Sequence, residues 1–174
     1  MKPRHLQRFV LAAVWCALAA PVHGEEKVAA GDIRQNLFSA CFSSDRDGWV
    51  VGELGRIYHT ADGGKTFARS DAGTKIAFLS VACLGDGTVV VTGQKGLAMR
   101  SRDQGKTWEQ LDTGTKRDLL SVDFASPQVG VAVGDFGTMV RTEDGGQTWK
   151  KIALPEDIKL PEDVADIVQP GDIL

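Results

Sequence analysis

Histidine, tyrosine and cysteine are scarce in this chain of 174 residues, at three, one and three copies. Two of the histidines, His5 and His23, fall within the first 24 residues, and His59 stands alone. No His/Cys cluster has the spacing of metal ligands, so a zinc site is not expected. No carboxylate grouping supplies the several clustered oxygens that calcium needs. No glycine loop of phosphate-binding type precedes a helix, and no cofactor of any kind is expected. Basic excess is also missing, with Lys and Arg numbering 20 against 23 acids, which excludes the electrostatic footprint of a nucleic-acid binder. Beyond the first 24 residues no apolar run is long enough to cross a bilayer. No window sustains the 3.6-residue periodicity of an amphipathic helix.

The first 24 residues read as a secretory signal peptide. Lys2, Arg4 and Arg8 make a basic start, Phe9 to Ala20 is apolar, and Val22-His23-Gly24 offers small residues for cleavage between Gly24 and Glu25. Cys16 follows the bulky Trp15, where a lipid-modified cysteine needs a small neighbour. The expected product is exported to the periplasm. Three of the 20 basic residues lie in the leader, leaving 17 against 23 acids and a formal charge of −6. Residues 155–174 hold six of those acids and one lysine. Two cysteines remain, Cys41 and Cys83. They occupy neighbouring repeat slots, and neighbouring slots on a strand point to opposite faces, so the two side chains either face each other between adjacent blades or point apart. The expectation is two buried free thiols, which pack as small hydrophobes, with a disulfide between adjacent units as the alternative.

What is present in quantity is repetition. Three turns share one pattern: Thr60-Ala-Asp62-Gly-Gly64-Lys-Thr66-Phe67, Ser101-Arg-Asp103-Gln-Gly105-Lys-Thr107-Trp108 and Thr142-Glu-Asp144-Gly-Gly146-Gln-Thr148-Trp149. Their aspartates are 41 residues apart, as are Ser39, Ser80 and Ser121. Gly52, Gly93 and Gly134 keep the same interval, and so do Gly55, Gly96 and Gly137. Each unit reads as four short strands joined by a Gly-x-x-Gly hairpin and the Asp-containing turn. A period in the low forties with strand content is the signature of propeller blades. The fold class is therefore all-β, a propeller of four-stranded blades spanning about 37–75, 76–116 and 117–154. In each Asp turn the carboxylate can accept loop N–H groups, the Ser or Thr can add a local hydrogen bond, and the closing aromatic can bury a large face between blades. Residues 155–174 read as an acidic, proline-containing connector ahead of a fourth blade, because Asp172-Ile173-Leu174 matches Asp118-Leu119-Leu120. Closed propellers need about 4–8 blades. Either the polypeptide continues past Leu174 or copies of the chain associate, and truncation is the expected answer.

The Ser/Thr-x-Asp-x-Gly-x-Thr-aromatic turn matches the Asp-box, or bacterial neuraminidase repeat. With its surroundings, Asp47-Gly48-Trp49-Val50-Val51-Gly52 and Gly130 to Trp149, the chain resembles the photosystem II stability/assembly-factor family over roughly residues 37–154. The second unit departs from the pattern, since Gly87 to Gly93 lacks the tryptophan and Gln104 replaces a glycine. The resemblance implies a seven-bladed propeller on the lumenal or periplasmic side of a membrane. It implies a non-enzymatic scaffold whose protein partner is a membrane-protein assembly intermediate.

An enzyme reading is weaker. A sialidase uses three arginines on a carboxylate and a Tyr–Glu nucleophile pair. Here the single tyrosine, Tyr58, sits on a third strand, and no carboxylate pair stands out for glycoside hydrolysis. The alternatives are a glycosidase with its catalytic residues beyond Leu174 and a carbohydrate-binding module. One repeated feature suggests an interaction surface. His59, Arg100 and Arg141 occupy one slot before each Asp-box. They can form a cation row for acidic partner segments, or each can pair with an Asp-box carboxylate or face water.

Overall fold

The computed structural model describes residues 27–152. The leader, its cleavage point and the acidic segment 155–174 lie outside the described residues. Among the described residues, thirteen strands form three antiparallel sheets. Blade 1 contains β1 (Lys27–Ala29), β2 (Leu37–Phe42), β3 (Gly48–Gly52), β4 (Arg56–Thr60) and β5 (Thr66–Asp71). Blade 2 contains β6 (Phe78–Cys83), β7 (Val89–Gly93), β8 (Ala98–Ser101) and β9 (Glu109–Leu111). Blade 3 contains β10 (Leu119–Phe124), β11 (Gly130–Gly134), β12 (Met139–Thr142) and β13 (Lys150–Lys151). In each blade four consecutive strands pair as a meander, β2 to β5, β6 to β9 and β10 to β13. The repeat pattern did not announce β1. It adds a fifth strand outside β5, with Val28 opposite Phe67.

The blades pack face to face, and β2, β6 and β10 lie side by side. Strand alternation sends odd and even residues to opposite neighbours. Trp49 and Val51 face blade 2, where they meet Phe78, Val81, Val89, Val91, Leu97 and Met99. Ala82 and Val90 face blade 3 and join Leu119, Val122, Ala132, Val140 and Trp149. The short hydrophobic runs are therefore buried on both sides in blade 2, where every residue of β7 is buried.

Facing residues of adjacent blades are 42 positions apart, one more than the repeat. The Val81 N–H donates to Ser39 Oγ at 3.3 Å, and the Val122 N–H donates to Ser80 Oγ at 3.1 Å. Cys41 and Cys83 are also separated by 42 residues, and they are bonded, with a Cα–Cα distance of 5.8 Å. The expectation of two free thiols is thus corrected. The one-slot offset between the two cysteines is the offset by which neighbouring blades face each other.

In the Gly-x-x-Gly hairpins, Gly52, Gly93 and Gly134 have extended backbones. They are needed for space: a Cβ on Gly52 would stand 2.1 Å from the Asn36 carbonyl oxygen. The left-handed residues of these hairpins are Leu54, Lys95 and Phe136, each followed by a glycine that is also left-handed. The fourth strands of blades 2 and 3 begin at Glu109 and Lys150, two residues after the Asp-box threonine.

Candidate functional site

Strand β4 runs from a Gly-x-x-Gly turn at one end to an Asp-box turn at the other, and β8 and β12 do the same. The blades therefore present two different ends to solvent, one of each turn type.

The Asp-box end is closed on itself. In blade 1, Asp62 Oδ1 accepts the Thr66 N–H at 2.9 Å, the Lys65 N–H at 3.0 Å and the Thr60 hydroxyl at 2.9 Å. Asp62 Oδ2 accepts the Thr66 hydroxyl at 2.6 Å. Thr60 Oγ1 in turn accepts the Gly64 N–H at 2.8 Å. The same bonds recur around Asp103, with Ser101, Gly105 and Thr107, and around Asp144, with Thr142, Gly146 and Thr148. Hydrogen bonding to the charged form stabilises it. The threonine hydroxyl and N–H hold Asp103 and Asp144 at a pKa of about 2, and Asp62 is driven well below the ordinary carboxylate range by Thr66. Such carboxylates neither carry protons at neutral pH nor have oxygens to spare. Gln104 adopts φ 59 where the other two turns have Gly63 and Gly145.

The tryptophans that close the second and third of these turns pack between blades. Trp108 Nε1 donates to Ser70 Oγ of blade 1 at 2.8 Å, and Ser70 Oγ donates to the Gly105 carbonyl at 2.6 Å. Trp49 meets Trp108 edge-on, with ring centroids 6.1 Å apart. Trp149 is buried beside Phe124 and donates from Nε1 to the Gly146 carbonyl at 3.1 Å. Phe67 is buried as well.

His59, Arg100 and Arg141 do not form a solvent-facing row. His59 stacks on Trp49 at 4.4 Å and bonds to Asp47 Oδ1 at 2.7 Å. Burial works to raise the pKa of Asp47, but hydrogen bonds from Ser43 and His59 outweigh it and the net direction is down. Arg100 is 3 % exposed. It donates from Nε to Glu109 Oε1 at 2.6 Å and from Nη1 to the Gly145 carbonyl of blade 3 at 2.8 Å. Arg141 is exposed and donates to Glu143. None of the three pairs with its own Asp-box carboxylate. In blade 2 this slot reaches the next blade through Arg100, whereas the partners of His59, Trp49 and Asp47, lie within blade 1. The residues that sequence reasoning passed over are Ser39 and Ser80. Their 41-residue spacing was visible, and their role needed the 42-residue facing register.

Tyr58 is 6 % exposed, and its hydroxyl donates to Gln35 Oε1 at 3.0 Å. The one tyrosine of the chain is thus committed to holding residues near β1 against blade 1. Among the described residues, no three or more His, Cys, Asp or Glu side chains gather as a metal site. No helix among them is long and apolar enough to cross a membrane.

The Gly-x-x-Gly end has a different character. Leu54 and Phe136 are 56 % and 48 % exposed at equivalent turn positions, and Lys95 occupies the slot between them. The Arg117 guanidinium lies 4.6 Å from the Phe136 ring centroid. A cleft of about 440 Å³ opens beside Lys95 and is lined by Ile76, Leu97, Gln110, Asp112 and Thr115 among others. Apolar side chains and cations are thus displayed together on rigid hairpins, an arrangement suited to holding a polypeptide segment.

Comparison with known proteins places this geometry. The family model for the Photosynthesis system II assembly factor YCF48 matches residues 24–117 and 107–168. No curated protein matches the chain in sequence. Among solved structures, YCF48 bound to D1 peptide superposes with a TM-score of 0.63 at 21 % identity, covering 72 % of this chain and 43 % of that one. YCF48 from Cyanidioschyzon merolae superposes with a TM-score of 0.61 at 28 % identity, covering 75 % of this chain and 42 % of that one. An ancestral GH74 enzyme shares the fold, with a TM-score of 0.57 at 17 % identity over 70 % of this chain and 19 % of that one. The chain spans under half the length of each of these structures.

Proposed function

Because the chain belongs to the Photosynthesis system II assembly factor YCF48 family, we propose that it is an exported, non-enzymatic propeller. It would bind a protein segment at the blade end that carries the Gly-x-x-Gly turns. The observation that carries this reading is the family match over residues 24–168, joined to a relative of the same fold that was solved with a peptide bound. The contrast between the two blade ends supports it. The Asp-box end spends its polar groups on its own turns, whereas the other end holds exposed Leu54 and Phe136 on rigid left-handed turns beside a cleft. Preorganised apolar anchors lower the entropic cost of association. The partner is an extended segment of a membrane protein under assembly, met on the periplasmic side. The mixture of Leu54, Lys95 and Phe136 suits a segment with apolar and acidic side chains.

Affinity capture from solubilised membranes with the complete gene product, followed by mass spectrometry, tests the reading. A membrane protein recovered with the unmodified chain, and reduced about tenfold with the Leu54→Ala/Phe136→Ala pair, is the expected result. Equal recovery by both would move the binding face elsewhere. Turnover of glycoside substrates by the same product would replace the scaffold with a hydrolase.

A further inference from the structure

Phe38, Leu79 and Leu120 share one repeat slot, and all three are large and apolar. Each is the extra residue of a bulge on the first strand of its blade. Leu37 stands opposite Gly52 and Ser39 opposite Val51, so Phe38 has no partner. Leu79 is skipped in the same way between Phe78 and Ser80, and Leu120 between Leu119 and Ser121. A bulged residue leaves the ladder and its side chain is re-aimed. The strands concerned, β2, β6 and β10, are the end strands of their sheets and lie side by side. The bulges fall where these strands meet the Gly-x-x-Gly turns, since Gly52, Gly93 and Gly134 pair with the residue just before each bulge. Blade 2 has a neighbour on each face, and there Phe78, Ser80, Val81 and Ala82 are all buried. Leu79 alone among them stays half-buried and joins neither of the two inter-blade cores. Its opening is therefore a property of a blade packed on both sides. Further blades would lengthen the row of apolar side chains without covering it.

A second slot lies four residues upstream, on the links that carry the chain from an outer strand to the next inner one. It holds Arg34, Lys75 and Lys116, all exposed. The two links between described blades sort their charge along their length. Asp71 and Asp112 stand at the outer end and accept the Gly73 and Gly114 N–H groups, each at 2.9 Å. Lys75 and Lys116 stand three residues before the inner strands begin. Two acids near this inner end are engaged by the backbone: Asp118 Oδ1 accepts the Lys95 N–H at 2.8 Å, and Glu53 Oε1 accepts the Asn36 N–H at 3.1 Å.

We propose that these two slots form the inner part of the partner-binding face, an inference that rests on the reading of the Gly-x-x-Gly end as the binding end. The row Phe38, Leu79 and Leu120 takes an apolar side chain of an extended polypeptide segment, and the row Arg34, Lys75 and Lys116 takes a carboxylate side chain of the same segment. Charge complementarity selects the carboxylate over an amine. Four residues of chain separate the slots, so they lie at most about 14 Å apart. An extended segment reaches both with an acid and an apolar residue within about four positions of each other. Specificity is thus placed on the inner strands and their links, and the hairpin tips at Leu54 and Phe136 add contact farther along the same segment.

The test pans the complete gene product against random decapeptides displayed within a loop, so that no peptide end is free. The wild type should enrich peptides with aspartate or glutamate within four positions of leucine, isoleucine, valine or phenylalanine. Lys75→Glu/Lys116→Glu alters exposed residues outside the strands. It should replace the acids of the recovered peptides with lysine or arginine and leave the apolar preference in place, an inversion that a merely structural role for the lysines would not produce. Leu79→Ser/Leu120→Ser should recover the wild-type peptides about tenfold less well. An unchanged charge preference in the lysine variant would overturn the proposal, and so would full recovery by the leucine variant. Loss of recovery with Leu54→Ala/Phe136→Ala alone would keep the binding end and remove the inner rows from it. A wild type that enriches no such peptide would also overturn the proposal, while capture from membranes, which uses none of these peptides, would still judge the scaffold reading by itself.

Discussion

The seam between blades 1 and 2 and the seam between blades 2 and 3 do the same job with different chemistry. The first is covalent and aromatic. It has the Cys41–Cys83 bond, Trp49 between His59 and Trp108, and the Trp108–Ser70–Gly105 chain of hydrogen bonds. The second is aliphatic and ionic. Ala82 and Phe124 replace the cysteine pair, Val90 replaces Trp49, and Arg100 reaches across to the Gly145 carbonyl. Both keep the serine-to-valine hydrogen bond and the 42-residue facing register. The repeated scaffold therefore specifies how blades face each other, and the variable slots specify how strongly they hold.

The largest break in this comparison is removal of the covalent link. Cys41→Ala/Cys83→Ala releases a crosslink spanning 42 residues. For a loop of that size the chain-entropy account gives a loss of about 4 kcal/mol. Urea unfolding under non-reducing conditions should show that drop, with the midpoint of the double variant matching that of the reduced wild type. A drop of only a few tenths would mean that the aromatic contacts carry the first seam alone.

Next come the glycines of the Asp-boxes. Gly105 has φ 75, and a Cβ there would stand 2.2 Å from Trp49 Cη2. Gly146 has φ 80, but its nearest neighbours would be at 3.5 Å. Both alanine variants carry the cost of a left-handed backbone, about 1 kcal/mol. Only Gly105→Ala adds overpacking against a buried ring, roughly a further 2 kcal/mol. Denaturation midpoints should separate the two variants by that difference. Equal losses would show that Trp49 yields without cost.

Arg100→Met tests the ionic seam. The arginine stem is buried, and its head satisfies a carbonyl of the next blade. Methionine keeps much of the packing and removes the charge-assisted bonds, for an expected loss of about 2 kcal/mol. The matching change in the first seam, His59→Met, should cost less than Arg100→Met, because His59 makes no hydrogen bond across to blade 2 among those described. Losses in the reverse order would place the weight of this slot in the Trp49 stack.

Much of this was legible in the sequence and some of it was not, for a physical reason. The 41-residue period carried the strands, the turns and the all-β class, because local hydrogen bonding and alternation act within a blade. The seams depend on which residues of different blades face each other. That register is set by how sheets stack, and a one-residue offset decided the cysteine pairing against the expectation. The strand β1 was likewise unreadable, since three residues of Lys-Val-Ala become a strand only through the edge of β5. The slot of His59, Arg100 and Arg141 was legible as a repeat of cations, but what each one touches was not, and the burial of Arg100 follows from the neighbouring blade.

A smaller effect, opposite in sign, sharpens the second seam. Thr92 occupies the slot held by Val51 in blade 1 and Val133 in blade 3. It is 0 % exposed, and its hydroxyl has no hydrogen-bond partner. A buried unpaired hydroxyl costs about 1–2 kcal/mol. Thr92→Val keeps the shape and removes the polar atom, so stability should rise by about 1 kcal/mol. A fall would mean that the hydroxyl is satisfied by water in solution.

Acid should leave the difference between the seams unmoved. The Asp-box carboxylates are held low in the folded state, at about 2 for Asp103 and Asp144, against an ordinary value near 3.8. A depressed folded pKa contributes stability that is fully present above the unfolded value and is lost as pH falls through the folded one. Thermal unfolding should therefore be insensitive to these groups above about pH 4 and should decline between about pH 4 and 2. Asp103→Asn and Asp144→Asn should each lower stability at neutral pH and flatten the acid limb by the same amount, because the two turns make the same bonds. A steeper response from either would show that its seam, and not only its turn, depends on the ionised carboxylate.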